Sequence, residues 1–402
     1  MSRILVASPV VPYPSHSGNS VRIAQIIRVM NVIGMDVHFV LCPISAISDR
    51  RVDDTMENIF GPKYSELNNG HVSRGRWRQV LLDFAKKKLK LKRIDKVLDF
   101  IFADDFITAS AHKEFKTLVE KIKPNVVICE YALLSKLVED LDPNIVSIVD
   151  THDRFAERNL RIRNSSGQGF WWSLTIEQER KLLSRFDHVL AIQENEARMF
   201  AKDLQEESGK LATLDIIAPS QRTIYKQTSQ TIIGFIGSQN KHNEQGLQMF
   251  LQYHWSTIKK IVPEALFYVA GATYTEIQSV NYPDVVFLGR VKDLSSFYDQ
   301  STIIINPCLT GTGLKIKSVE ALSHGKPLVA TLEGAEGLSF ILGKGLFVHE
   351  LNSADFAMSC INLLNDEAMR KEHGQRAIEA INKRYEISVE TLKTLIGKID
   401  SE

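Results

Sequence analysis

The chain has 402 residues, 24% of them charged, with a formal net charge of +1. This length and ordinary composition suggest two or three soluble domains, and the near-neutral balance makes no overall electrostatic case for nucleic acid. No stretch approaches ~18 uninterrupted apolar residues, so no membrane span is predicted.

The start, MSRILVASPVVPYP, lacks a charged segment before a long apolar run, which argues against a secretory leader. Cys42, Cys129, Cys308 and Cys360 are scattered without a Cys-x-x-Cys pair. That pattern fits reduced thiols in the cytoplasm and offers no zinc site.

Residues 4–8 read as a first buried strand, and the loop 9–17 delivers Gly18-Asn19-Ser20 to a helix over 21–33 that Gly34 ends. With a strand over 37–41 this makes an opening βαβ unit. No Gly-x-Gly-x-x-Gly follows the first strand, so a nicotinamide cofactor is not expected. The segment 74–96, RGRWRQVLLDFAKKKLKLKRIDK, carries ten basic residues against Asp83 and Asp95, with apolar residues at mostly helical spacing. It reads equally as a basic amphipathic helix on an anionic membrane surface and as a cover helix with solvated lysines. No stacking platform accompanies the charge, so RNA is disfavoured.

A helix over 110–122 and a strand over 126–129 follow, and a strand over 145–149 runs straight into Asp150-Thr151-His152-Asp153. In a parallel sheet such polar residues arrive at the carboxyl edge, where ligands bind. His152 there can donate to a sugar hydroxyl while Asp150 or Asp153 fixes its ring; alternatively Asp153 caps the next turn and His152 is a satisfied neighbour. Asp140-Leu141-Asp142 precedes Pro143 and reads as a turn rather than a metal site. A strand over 211–217 closes this half, and the polar stretch 218–230 reads as a linker.

The alternation then restarts. A strand over 232–236 leads through Gly237-Ser238 to a helix, strands over 266–269 and 285–288 extend the sheet, and Asp293 caps a further helix. Residues 301–338 carry the densest signal, STIIINPCLTGTGLKIKSVEALSHGKPLVATLEGAEGL. Three isoleucines end at Asn306-Pro307, a loop with Gly311 and Gly313 follows, 314–323 reads as a helix closed by Gly325, and 328–331 is a strand. Glycines let a phosphate approach the backbone, and the free N–H groups of a first helical turn attract anions. Lys315 and Lys317 near that helix start oppose the macrodipole, which points to an anion they neutralise. Glu320 lies among apolar neighbours, where a carboxylate needs donors, and the two hydroxyls of a ribose would serve. An ordinary solvated helix face with a glycine turn is the competing reading.

This segment resembles the nucleotide-sugar-binding element of GT-B glycosyltransferases of the retaining family 4 type. The resemblance implies an α/β chain of two Rossmann-like domains facing across a cleft: residues 1–217 on the acceptor side, a linker at 218–230, a donor domain at 231–384, and a C-terminal helix at 385–402, with a crossing back to the first domain as one expectation. In that family two glutamates stand eight positions apart. Glu320 matches the ribose-binding one, whereas Thr312 stands where the first would be. An arginine and a lysine that usually hold the diphosphate are replaced here by Ser238 and Asn243. The resemblance makes Lys315 the first substitute for that charge and a catalytic candidate beside His152.

It further implies donor contacts from Gly18, Asn19, Gly237, Arg290, Gly311, Gly313 and Leu314, with Glu333, Gly334 and Ala335 at the sugar and His16 and Asp153 on the acceptor side. The expected activity is transfer of a sugar from a nucleotide-sugar to a glycan or lipid-linked acceptor, with retention and without metal or cofactor. The expected location is cytoplasmic, with a peripheral position on the inner face of the membrane if 74–96 meets lipid. A non-catalytic partner subunit, a sugar-nucleotide epimerase or hydrolase, and a membrane-surface adaptor are the rival readings.

Overall fold

The computed structural model describes residues 2–15, 17–44, 54–68, 106–158, 173–205, 209–237, 241–271, 277, 282–309 and 313–397. His16, the basic segment 74–96, Trp171, Trp172, Ser238, Gly311 and Thr312 lie outside the described residues. The chain divides into two compact units, Met1–Ile217 with Ser388–Glu402, and Ala218–Ile387. Among the described residues no helix is long and apolar enough to cross a membrane.

The first unit is built on β1 (Arg3–Ser8), β2 (Asp36–Leu41), β3 (Tyr64–Glu66), β4 (Val126–Glu130), β5 (Val146–Asp150), β6 (His188–Ala191) and β7 (Leu211–Thr213). Its helices include α1 (Gly18–Val32), α2 (Thr55–Phe60), α3 (Ala109–Ile122), α4 (Ile176–Leu183) and α5 (Glu194–Leu204). The strand order is β3-β2-β1-β4-β5-β6-β7, and every pairing is parallel. Ile4, Val6, Val127, Ile128 and Ile148 are fully buried, as expected of strands covered on both faces.

The second unit repeats the plan with β8 (Ile232–Gly237), β9 (Leu266–Gly271), β10 (Val285–Gly289), β11 (Ile303–Asn306), β12 (Leu328–Ala330) and β13 (Leu346–Val348). Its helices include α6 (Lys241–Phe250), α7 (Ser256–Ile261), α8 (Leu294–Gln300), α9 (Ile316–Ser323), α10 (Ala354–Asn365) and the start of α11 (Glu367–Gly397). The order is β10-β9-β8-β11-β12-β13, again all parallel. Phe235, Phe250, Trp255, Phe267 and Phe356 form the aromatic centre of its core. Burying each such side chain contributes roughly 1.5–3 kcal/mol.

Both orders are doubly wound, and in each the direction of winding reverses beside the first strand of the unit, between β1 and β4 and between β8 and β11. Such a reversal leaves the loops at the carboxyl ends of those strands free to take a ligand.

Several boundaries differ from those expected. Helix α1 starts at Gly18 because Ser17, with extended backbone, caps it and its N–H donates to Ser20 Oγ at 3.0 Å. Helix α9 starts at Ile316, since Lys315 keeps a non-helical backbone at φ −85° and ψ 94° behind Gly313 at φ +80°. Strand β4 runs one residue further than expected, to Glu130, and β7 ends at Thr213.

Candidate functional site

In the first unit the loops after β1, β4 and β5 assemble a buried polar cluster. The parallel register sets Glu130 beside Asp150, so two carboxylates arrive side by side at the sheet edge. Arg22, in the second turn of α1, donates from Nε to Asp150 Oδ2 at 2.6 Å and from Nη2 to Oδ1 at 2.7 Å. Both side chains are buried, and the two-pronged geometry is the strong form of this pairing. Burial alone would raise Asp150, but the Arg22 guanidinium outweighs it and holds the carboxyl below the usual range.

The second carboxylate meets His152. His152 Nε2 lies 2.6 Å from Glu130 Oε2 and 3.6 Å from Asp150 Oδ2, so Glu130 is the direct partner of the ring. Burial, with the Asp150 charge adding to it, pushes the Glu130 carboxyl up even though His152 and Arg22 pull the other way. The Tyr131 ring stacks on the imidazole at 4.2 Å between centroids, and Asn19 Nδ2 donates to the Tyr131 hydroxyl at 3.0 Å. Tyr131 at φ 78° and His152 at φ 58° both occupy backbone conformations that side chains disfavour. Such residues persist only where their surroundings over-determine them.

The loop that carries His152 is clamped from below. Phe155 N–H and Ala156 N–H donate to Glu179 Oε1 and Oε2 at 2.6 and 3.0 Å, and Arg154 Nε donates to Asp203 at 2.8 Å. Glu179 is buried on α4, and burial pushes it up to about 7. Asp153 turns away from the ring, with its carboxylate 3.5 Å from Arg158 Nη2.

Glu130, Asp150 and His152 each offer a ligand atom within 4.8 Å of the others, a donor set a divalent ion could use. The site is nevertheless arranged for a proton. Both Asp150 oxygens already accept from Arg22, and the 2.6 Å Nε2–Oε2 separation is that of a hydrogen bond.

In the second unit Asn243 on α6, Asn306 at the end of β11 and the loop after β12 meet α9. Lys315 is its capping residue, and its ammonium donates to Gly313 O at 2.8 Å and to Glu336 Oε2 at 3.2 Å. Lys317 reaches the other way, donating to Asn243 Oδ1 at 2.6 Å with its ammonium 5.1 Å above the Phe235 ring. Among the described residues it has no carboxylate partner. Burial, with Lys315 nearby, lowers its pKa to about 8.

Glu320, half-buried on the next turn, accepts from the Tyr298 hydroxyl at 3.1 Å, and burial raises its carboxyl. The loop with Glu333, Gly334 and Ala335 is tied to this helix. Gly334 O accepts from Ser318 Oγ at 2.7 Å and from Asn306 Nδ2 at 3.1 Å. A side chain at Gly334 would bring its Cβ to 2.3 Å from Asn306 O, so only glycine permits the approach.

Gly237 ends β8, and Leu314 and Gly313 lead into α9. Arg290 stands exposed past the edge strand β10 and joins none of these contacts. Gly18 is exposed at the start of α1. Arg22, Glu130, Tyr131 and Tyr298 were not singled out from the sequence. A lone glutamate ending the apolar run Val-Val-Ile-Cys, and a lone arginine among buried positions of α1, were the available signals.

Residues 230–366 match the family model described as glycosyl transferases group 1. Over 96% of its length the chain is 22% identical to 97% of an "uncharacterized 44.6 kDa protein in cps region" of Klebsiella pneumoniae. It superposes on sucrose-phosphate synthase from Thermosynechococcus elongatus with a TM-score of 0.66 at 12% identity, covering 99% of each chain. On the pneumococcal O-GlcNAc transferase GtfA, solved with UDP and GlcNAc, the TM-score is 0.67 at 10% identity over 100% of both chains. Residues 230–366 are thus similar to the group 1 glycosyltransferases, and two all-parallel sheets of the same winding give the chain the fold of these structures, a GT-B fold of two Rossmann-like units.

Proposed function

We propose that the protein transfers a sugar from a nucleotide-sugar to a hydroxyl of a glycan or lipid-linked acceptor, with retention. The observation that carries this is Lys317, a partly buried ammonium with a neutral amide and a ring around it and no carboxylate among the described residues. A cation so placed is stabilised by an incoming anion, and a diphosphate supplies one.

Asn243 stands where family 4 enzymes carry a diphosphate-binding lysine, and Lys317 brings an ammonium to that side chain from α9 instead. Lys317 therefore takes the leading role in binding phosphate, with Lys315 partly neutralised by Glu336. The free N–H groups at the start of α9 add to it. These donors meet the charge that builds on the departing diphosphate, which lowers the barrier without a metal in the step. Glu320 takes the ribose hydroxyls beside Tyr298, and Glu333, Gly334 and Ala335 line the sugar. In the first unit, His152 is the donor for an acceptor hydroxyl bound there. UDP in the GtfA complex makes a uridine donor the first choice.

The test is a thermal-shift screen of UDP-, GDP- and ADP-sugars, with Glu320→Ala alongside. At a hundred times Kd a ligand stabilises by about 2.7 kcal/mol, which moves Tm by a few degrees. A shift from one nucleotide class, lost in Glu320→Ala, is expected. No shift from any of the three in a well-folded protein would sink the proposal.

A further inference from the structure

Glu130 is the least explained group in the first unit. Its side chain is completely buried, one oxygen lies 2.6 Å from His152 Nε2, and the other, Oε1, has no hydrogen-bond partner. A carboxylate in such a place is costly unless it holds a proton or shares one. Other charged groups lie around it. Arg22 from α1 pairs with Asp150 from β5, Asp215 lies near enough to act on Arg22, and Asp153, turned toward Arg158, lies near enough to act on the Tyr131 hydroxyl. Counted over Arg22, Asp150, Glu130 and His152 alone, one proton between the last two leaves no net charge; with none the four carry a negative charge, and with two a positive one.

We propose that Glu130 is a positioning residue for His152, the two sharing one proton across the Nε2–Oε2 contact so that Nδ1 always carries a hydrogen and serves as a donor. Both placements of the shared proton lead to the same outcome. With the proton on nitrogen the ring is an imidazolium, and Nδ1–H is present. With it on oxygen, Glu130 donates to Nε2, and the neutral ring must carry its hydrogen on Nδ1. No proton is gained or lost in either case. Glu130 thus decides which face of the imidazole is the donor, and the Tyr131 stack and the Glu179 clamp hold the ring in that pose.

This deepens the sugar-transfer reading, and rests on it, only in naming a sugar or acceptor hydroxyl as what Nδ1–H meets. The proton arrangement is testable without any ligand. Histidine side chains of the full-length chain are labelled with 15N, and His152→Gln identifies the resonances of His152. In the wild type, Nδ1 of His152 should carry a hydrogen, read from its 15N shift and one-bond coupling at one near-neutral pH. In Glu130→Leu, where Nε2 loses its Glu130 partner, the ring should move toward the tautomer with its hydrogen on Nε2. Glu130→Gln, which keeps volume and hydrogen bonding, guards against a folding failure.

An Nδ1 without hydrogen in the wild type, or the same tautomer in the wild type and Glu130→Leu, overturns the proposal. With whichever UDP-, GDP- or ADP-sugar shifts Tm, Glu130→Leu should lower turnover about 10- to 100-fold, the worth of one lost charge-assisted hydrogen bond, and leave the donor-induced shift intact. If no donor shifts Tm, the transfer reading fails while the 15N result still decides the role of Glu130.

Discussion

The two units share one winding order and place polar residues at the same kind of sheet edge, yet they settle charge in opposite ways. In the first, Arg22, Asp150, Glu130 and His152 close on one another with separations of 2.6–2.7 Å. In the second, Lys317 stops at a neutral amide and an aromatic ring. A cluster whose charges pair internally holds a geometry, whereas a cation left short of a counter-charge holds a place for a ligand. Topology alone does not separate these roles, because both follow from the same strand order.

The comparison breaks most sharply at Arg22. Arg22→Leu strands Asp150 as a buried charge beside Glu130, and chemical denaturation should show a loss of roughly 3–5 kcal/mol. Equal stability to wild type would mean that the cluster is not closed.

The clamp beneath it has a pH signature. Glu179 sits at about 7 in the folded protein, above its ordinary value, so the folded state binds more protons than the unfolded one. Its stabilising contribution is complete below about pH 4.5 and is lost as pH rises through about 7, a fall of up to roughly 3 kcal/mol. Urea midpoints from pH 5 to 8 should show this slope reduced in Glu179→Gln, and an unchanged slope would remove Glu179 from the account.

Lys317→Met should act in the opposite sense to Arg22→Leu. Replacing a buried, incompletely paired cation by an apolar chain leaves stability equal or raised, while nucleotide affinity falls by about 1.5–3 kcal/mol. Calorimetry with UDP would read the loss. In the wild type, affinity should also decline as pH rises above about 8, where the Lys317 ammonium gives up its proton. A variant that loses stability and keeps affinity would reverse the contrast between the units.

The smallest effect is expected at Tyr298→Phe. It removes the donor to Glu320 and should cost about 0.5–1.5 kcal/mol in stability. Nucleotide affinity should change only severalfold, since Glu320 keeps its place on α9.

Much of the architecture was legible in the amino-acid order. Apolar runs such as Ile303–Asn306 and Ile232–Gly237, each followed by glycines and an amphipathic helix, announce parallel strands whose loops meet a ligand, because burial on both faces demands unbroken hydrophobicity. The same logic makes candidates of His152, Lys315, Lys317 and the loop at Gly334, which follow strand ends or open a helix, and of Glu320 one turn further along α9. Helix starts were less legible, since Ser17 and Gly313 set them through local backbone conformation rather than periodicity.

Only the tertiary structure decided the pairings. Glu130 and Asp150 are twenty positions apart and become neighbours through strand register, while Arg22 comes from a helix more than a hundred positions earlier. Asn243 and Lys317 are likewise joined by two different helices. Periodicity reports which face of an element is buried, but the partner of a buried charge depends on which elements lie side by side. That is a property of the assembled sheet and its helices, and local spacing carries no trace of it.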